Sequence, residues 1–147
     1  MYRVLVTVDD DRQRADELID SIERLAEEVP ELSVTLLHVI RETDVPSQVA
    51  IHQPVEDYGE ELDESRVPVA VQEAAARLED VDFDCEVRIE HGDPAPVIIE
   101  RANEGGYDTI YIGGRRNSPV GKVLFGSVVQ GVLLNTDVPV TVVGQRE

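Results

Sequence analysis

The chain alternates short apolar runs with longer stretches of helical period. Val4-Leu5-Val6-Thr7-Val8 is a near-continuous run rich in β-branched residues, the pattern of a strand buried on both faces of a parallel sheet. After Asp9-Asp10-Asp11, apolar residues recur at helical spacing through Ala15, Leu18, Ile19, Ile22, Leu25, Ala26 and Val29, which predicts a helix to about residue 28, ending before Pro30. Val34 to Ile40 reads as a second buried strand. Residues 41–63, with Pro46 and Pro54, show no period and read as an insertion, more a flexible acidic surface loop than a lid. Val67, Ala70, Val71, Ala74, Ala75 and Leu78 mark the next helical face, with Pro68 in its first turn.

The third strand differs. Phe83, Cys85, Val87 and Ile89 alternate with Asp84, Glu86, Arg88 and Glu90, so one face is wet and the strand belongs toward an edge. Asp93 is expected to cap a helix that carries Pro94 in its first turn, turns Val97, Ile98 and Ala102 inward and stops at Gly105-Gly106. A fourth strand over Thr109 to Ile112, a helix over Ser127 to Leu134 and a fifth strand over Val138 to Val143 complete the chain.

This β-α repetition predicts one α/β domain over residues 1–147: an open five-stranded parallel sheet with helices on both faces, Rossmann-like. With strand three at an edge and strand one central, right-handed crossovers give the order 3-2-1-4-5. The winding then reverses between strands one and four, and ligands in such sheets sit at the carboxyl ends of the strands flanking that reversal. The loops meeting there are residues 8–11 and 113–127.

Charge points to the same place. The chain has 31 acidic residues against 13 Lys and Arg, a formal charge of -18. Residues 109–136 nevertheless hold no Asp or Glu where an even spread would put about six, and they include Arg115, Arg116 and the sole lysine, Lys122. Backbone N–H groups of a glycine-rich turn, a helix N-terminus and nearby cations are what a phosphate needs. The loop therefore reads as an anion site on a protein whose overall charge repels nucleic acid and anionic membranes. So acidic a surface also suggests a salt-adapted, halophilic source, since the Debye length shrinks to about 3 Å at 1 M salt.

Individual residues carry expected roles. Gly113 ends strand four where backbone approaches a ligand; Gly126-Ser127 opens the fourth helix, Ser127 either capping it or binding phosphate. Asp9 leaves strand one at the reversal, where a carboxylate can hold ribose hydroxyls or a divalent ion, while Asp10 and Asp11 read as a solvated turn and a cap. A single cysteine, Cys85, excludes an internal disulfide and fits a reducing cytoplasm; no apolar run is long enough to span a bilayer, and the opening Met1-Tyr2-Arg3 shows no signal-peptide pattern.

The spacing Gly113, two residues, position 116, nine residues, Gly126, Ser127 resembles the signature of the universal stress protein family in its nucleotide-binding branch. Strand one running into Asp9, Leu37-His38-Val39-Ile40, Gly92-Asp93-Pro94-Ala95 and Asp137-Val138-Pro139-Val140-Thr141-Val142-Val143 extend the resemblance over the whole chain. It implies ATP, with or without magnesium. Val8, Val39 and Ile112 would line the adenine pocket beside Thr7, Asp9 would face the ribose, and Gly113, Gly126, Ser127 and the Val128 backbone would take the phosphates. Where the family signature has its second glycine this chain has Arg116, which either fills the phosphate space or grips it with its guanidinium. The resemblance also implies a homodimer paired through the fifth strand, Val140, Thr141, Val142 and Val143, an apolar edge of the kind that invites a second copy. Combined with the acidity, it points to a halophilic archaeon.

Other nucleotide chemistries fail on the residues present. A Walker A loop would need glycine at Arg116 and Ser or Thr at Val123; no second histidine accompanies His91; and His38, His52 and His91 are too dispersed for a metal site or triad. The reading is thus an ATP-binding stress or regulatory factor, non-catalytic or with slow hydrolysis only. The alternative is a nucleotide-free dimeric module in which Arg116 blocks the phosphate site.

Overall fold

The computed structural model describes residues 1–41, 66–114 and 125–144. Most of the 41–63 insertion, together with Arg115, Arg116, Gly121 and Lys122, lies outside them. In chain order the elements are β1 (Tyr2–Thr7), α1 (Arg12–Glu28), β2 (Leu32–Ile40), α2 (Val69–Glu79), β3 (Asp84–His91), α3 (Pro94–Gly105), β4 (Thr109–Gly114), α4 (Ser127–Asn135) and β5 (Val140–Gly144). The strands form one sheet in the order β3-β2-β1-β4-β5, with every neighbouring pair parallel. The order and the reversal between β1 and β4 are those predicted.

Each face of the sheet carries its own core. Val4, Val6 and Val8 of the first strand and its exit pack with Val34 and Leu36 against Ala15, Leu18, Ile19 and Ile22 of α1 and Ala70, Val71, Ala74 and Leu78 of α2. The alternate residues, Leu5, Leu37, Val39, Ile110 and Ile112, face Ile98 and Ala102 of α3 and Val129 and Val132 of α4. Strands apolar at consecutive positions are what a sheet covered on both faces requires.

The boundaries moved where backbone chemistry outweighs hydrophobicity. β5 begins at Val140 instead of Val138, because Pro139 has no N–H to give a ladder; its carbonyl instead accepts from Ile110 N at 2.9 Å and Thr109 Oγ1 at 3.0 Å. Pro68 sits in the N-cap position of α2, one step outside the helix, with its carbonyl accepting from Val71 and Gln72. Asp11 caps α1 as expected, Oδ1 accepting from Arg14 N at 2.9 Å, whereas Asp93 occupies the N-cap of α3 without a side-chain capping bond. β3 is wetter than one wet face implies: residues 84–88 are all exposed, Cys85 and Val87 included. Gly106 closes α3 in the left-handed conformation at φ 66°.

Candidate functional site

A cavity of about 380 Å³ opens at the carboxyl ends of β1, β2 and β4, where the winding reverses. Thr7, Val8, Asp9, Val39, Ile112, Gly113 and Val128 line it, so the structure brings those sequence-predicted residues together. Gly126 and Ser127 do not reach its wall; they stand at the N-terminus of α4, whose next residues Val128 and Val129 do. Arg116 lies outside the described residues. Gly126 takes the N-cap position and Ser127 the first helical one, with no side-chain bond closing the turn. Ser127 is therefore not the cap of α4, and a helix start of this kind presents N–H groups that can meet an anion.

The exit from β1 is pinned from both sides. Val8 N donates to Leu37 O at 3.0 Å, and His38 Nδ1 lies 2.7 Å from Val8 O. A carbonyl only accepts, so Nδ1 carries the proton. His38 is buried and lines the cavity, a structural strut beneath the residue that delivers Asp9. The sequence dismissed it as a metal ligand without showing this purpose.

Arg14 is the larger surprise. It sits in the first turn of α1, just after Asp9-Asp10-Asp11 and off the apolar positions of the helix, yet its side chain is only 9% exposed. Its guanidinium closes on the carboxylates that precede it: Nε and Nη2 donate to Asp9 Oδ2 at 3.1 and 2.8 Å, and Nη1 stands 3.5 Å from Asp11 Oδ2. Asp9 Oδ1 in turn accepts from Asp11 N at 3.0 Å. The Asp9 side chain remains 54% exposed toward the opening. The absence of a side chain at Gly113 makes room for this arrangement, since a Cβ there would lie 3.3 Å from Arg14 Cδ. What approaches Gly113 in this structure is the Arg14 stem.

The same pairing bears on metal binding. A divalent ion at Asp9 would have to share the carboxylate with the guanidinium already bonded to Oδ2, so the donor set fits hydroxyl recognition better than direct coordination. Among the described residues no group of three or more His, Cys, Asp or Glu is placed to hold a metal ion. On the β3 side of the opening stand Arg41 and Arg66. Burial, and then the Arg66 charge, lower the pKa of His91 below its ordinary value. No described helix is long and apolar enough to cross a membrane.

Comparison with known proteins agrees with this architecture. The stress response protein NhaX of Bacillus subtilis is 36% identical over 80 residues, which is 54% of this chain and 48% of that protein, so the match spans about half the relative's length. Universal stress protein MJ0577 of Methanocaldococcus jannaschii is 28% identical over 125 residues, 77% of each chain. The solved structure of MJ0577 superposes with a TM-score of 0.74 at 24% identity, covering 99% of this chain and 97% of the other. A universal stress protein family protein from Arabidopsis thaliana, solved with AMP bound, gives 0.68 at 18% identity over 99% and 93%. At these identities the structural likenesses establish the fold. The model of the universal stress protein family matches residues 1–144, and the chain belongs to that family.

Proposed function

We propose that this universal stress protein binds ATP at the carboxyl ends of β1, β2 and β4 and acts as a nucleotide-responsive regulatory factor in stress adaptation. The observation that carries the reading is one cavity, of a volume usual for a small-molecule site, on which an apolar slot, an anchored carboxylate and a helix N-terminus converge. Val8, Val39 and Ile112 would hold the adenine beside Thr7, Asp9 would accept from the ribose, and Gly113, Gly126, Ser127 and the Val128 N–H would meet the phosphates, with Arg116 adding its charge. The AMP held by the Arabidopsis relative supports adenine as the base. Magnesium, in this reading, travels with the phosphates and not on Asp9.

Turnover is slow or absent. Two of the polar side chains described at the crevice hold structure, His38 through Val8 and Arg14 through Asp9. Nothing described there is arranged as a base on an attacking water. A switch read by a partner fits that arrangement better than a catalyst does. β5 is an outer strand whose Val140, Val142 and Val143 are half-buried, and it would pair with β5 of a second copy to form a homodimer. The acidic surface suits the cytoplasm of a salt-adapted cell.

Isothermal titration with ATP and magnesium in molar KCl tests the reading. A one-to-one heat signal per protomer is expected. Its absence at high protein concentration overturns it.

A further inference from the structure

Asp9 is the polar anchor of the crevice, and the structure limits how much of it a ligand can use. An ionised carboxylate offers about four lone-pair positions, two on each oxygen. Oδ2 receives both Nε and Nη2 of Arg14, at 3.1 and 2.8 Å, so its two positions are filled. Oδ1 receives Asp11 N at 3.0 Å, which fills one. Among the described residues these contacts leave one acceptor position, on Oδ1, and the side chain, 54% exposed, lines the cavity.

Arg14 cannot easily yield the positions it fills. Its side chain is 9% exposed, held between the Asp9–Asp11 turn and the backbone of β4 at Gly113, where Cδ lies 3.3 Å from the place a Cβ would occupy. Releasing Oδ2 would leave the buried guanidinium, among the described residues, with the 3.5 Å contact to Asp11. A ligand with one hydroxyl donor at Oδ1 leaves the clamp intact, whereas one with two donors to the carboxylate must break it.

We infer that Arg14 is a specificity-determining positioning residue that restricts Asp9 to one hydroxyl of a bound sugar. A cis-diol then binds through one of its two oxygens, and the other contributes nothing through Asp9. This rests on the nucleotide reading above.

The test is titration of the full chain with ATP, 2′-deoxy-ATP and 3′-deoxy-ATP, on the native protein and on Arg14→Met and Arg14→Lys. For the native chain, one deoxy analogue should bind about tenfold or more weakly than ATP and the other within about threefold, the scale of one charge-assisted hydrogen bond. In Arg14→Met the freed Oδ2 can take the second hydroxyl, and the two deoxy analogues should become equivalent. Arg14→Lys, which keeps the charge without the fork, should fall on the Met side. Equal losses for both analogues in the native chain, or no loss for either, overturn the inference. So does an asymmetry that survives Arg14→Met. If none of the three nucleotides binds the native chain, the nucleotide reading falls and this inference with it, an outcome distinct from equal binding. Should the Arg14 variants not fold, the native asymmetry still decides, together with the Arg14 Nε–H resonance in ¹⁵N spectra. That resonance should be slow to exchange in the native chain and lost in Asp9→Asn; a fast-exchanging native signal overturns the clamp.

Discussion

Gly113 and Arg14 are complementary: the missing side chain on β4 is the space that the buried arginine stem occupies, with Cδ 3.3 Å and Cβ 3.5 Å from where a Cβ at 113 would stand. The glycine thus acts on the site through α1 as well as through whatever the crevice binds. Gly113→Ala should be near neutral in stability, because the reduced freedom of the unfolded chain, worth about 0.4–1 kcal/mol, offsets a small displacement. Gly113→Val adds branches the stem cannot accommodate and should cost about 1–3 kcal/mol. Urea denaturation measures both. A Val variant as stable as the native chain would show that Arg14 is free to move.

A second close approach lies at the opposite end of the sheet. A Cβ at Gly105 would clash with Tyr107 Cε2, and Tyr107 is buried with Arg3 stacked over its ring at 4.7 Å. Gly105→Ala should therefore cost about 2 kcal/mol or more even though alanine favours helices. Combining it with Tyr107→Leu should recover part of that loss, giving a coupling of about 1 kcal/mol in a double-mutant cycle. Additive losses would mean that the alanine is resisted by something other than the ring.

Arg116 separates the two functional readings of the glycine loop. As a phosphate grip, its replacement in Arg116→Gly should weaken ATP about tenfold and leave adenosine unchanged, one tenfold step being about 1.4 kcal/mol. As a plug, the same change should create binding in a chain that had none. Titration with ATP and adenosine distinguishes the two by sign.

The sequence carried the sheet order because two signals in it are local and strong: the 3.6-residue period of α1 and the strict alternation from Phe83 to Glu90 that sends β3 to the edge. Handedness did the rest. What it did not carry depends on contacts across the fold. Arg14 lies in the first turn of α1 with no apolar period to mark it as buried; only its juxtaposition with Gly113 of β4 shows that it is. His38 could be cleared as a metal ligand by its isolation, but its bond to Val8 O joins neighbouring strands and has no signature in spacing. Composition could not choose between the two roles open to Ser127, because it does not locate a cap, and Val138 falls two residues short of β5 because Pro139 offers a carbonyl but no N–H. The crevice was legible as a place, and the clamp inside it was not.

His91 gives stability a pH dependence of defined sign. Burial first, and the Arg66 charge second, lower its folded-state pKa below 6.5. As pH falls through about 6.5 the unfolded chain takes up a proton that the folded chain refuses, so stability declines, and the decline levels off below the folded-state pKa, where both forms are protonated. His91→Gln should show a shallower loss between pH 7.5 and 5.5 than the native chain in paired urea titrations. Identical slopes would assign the acid sensitivity to other groups.

Salt should stabilise this protein, and Arg77 shows why. Its guanidinium joins α2 to α1 by meeting Asp20 Oδ1 and Glu23 Oε1 at 2.8 Å each, with Asp16 Oδ1 at 3.8 Å, so one cation holds three carboxylates together. Such an excess of acid over base, repeated across a chain of formal charge -18, leaves repulsion that local pairing cannot cancel. Raising salt from 0.01 to 1 M shortens the Debye length from about 30 to about 3 Å, which screens the long-range repulsion while leaving contacts at hydrogen-bond distance partly intact. The melting temperature should therefore climb across a KCl series. Arg77→Gln, which leaves the three carboxylates facing one another, should cost about 1 kcal/mol in low salt and clearly less at 1 M. Calorimetry on both proteins checks this: a native melting temperature that is flat or falling with salt would mean that pairwise bridges outweigh the net charge, and the salt-adapted reading of the surface would be abandoned.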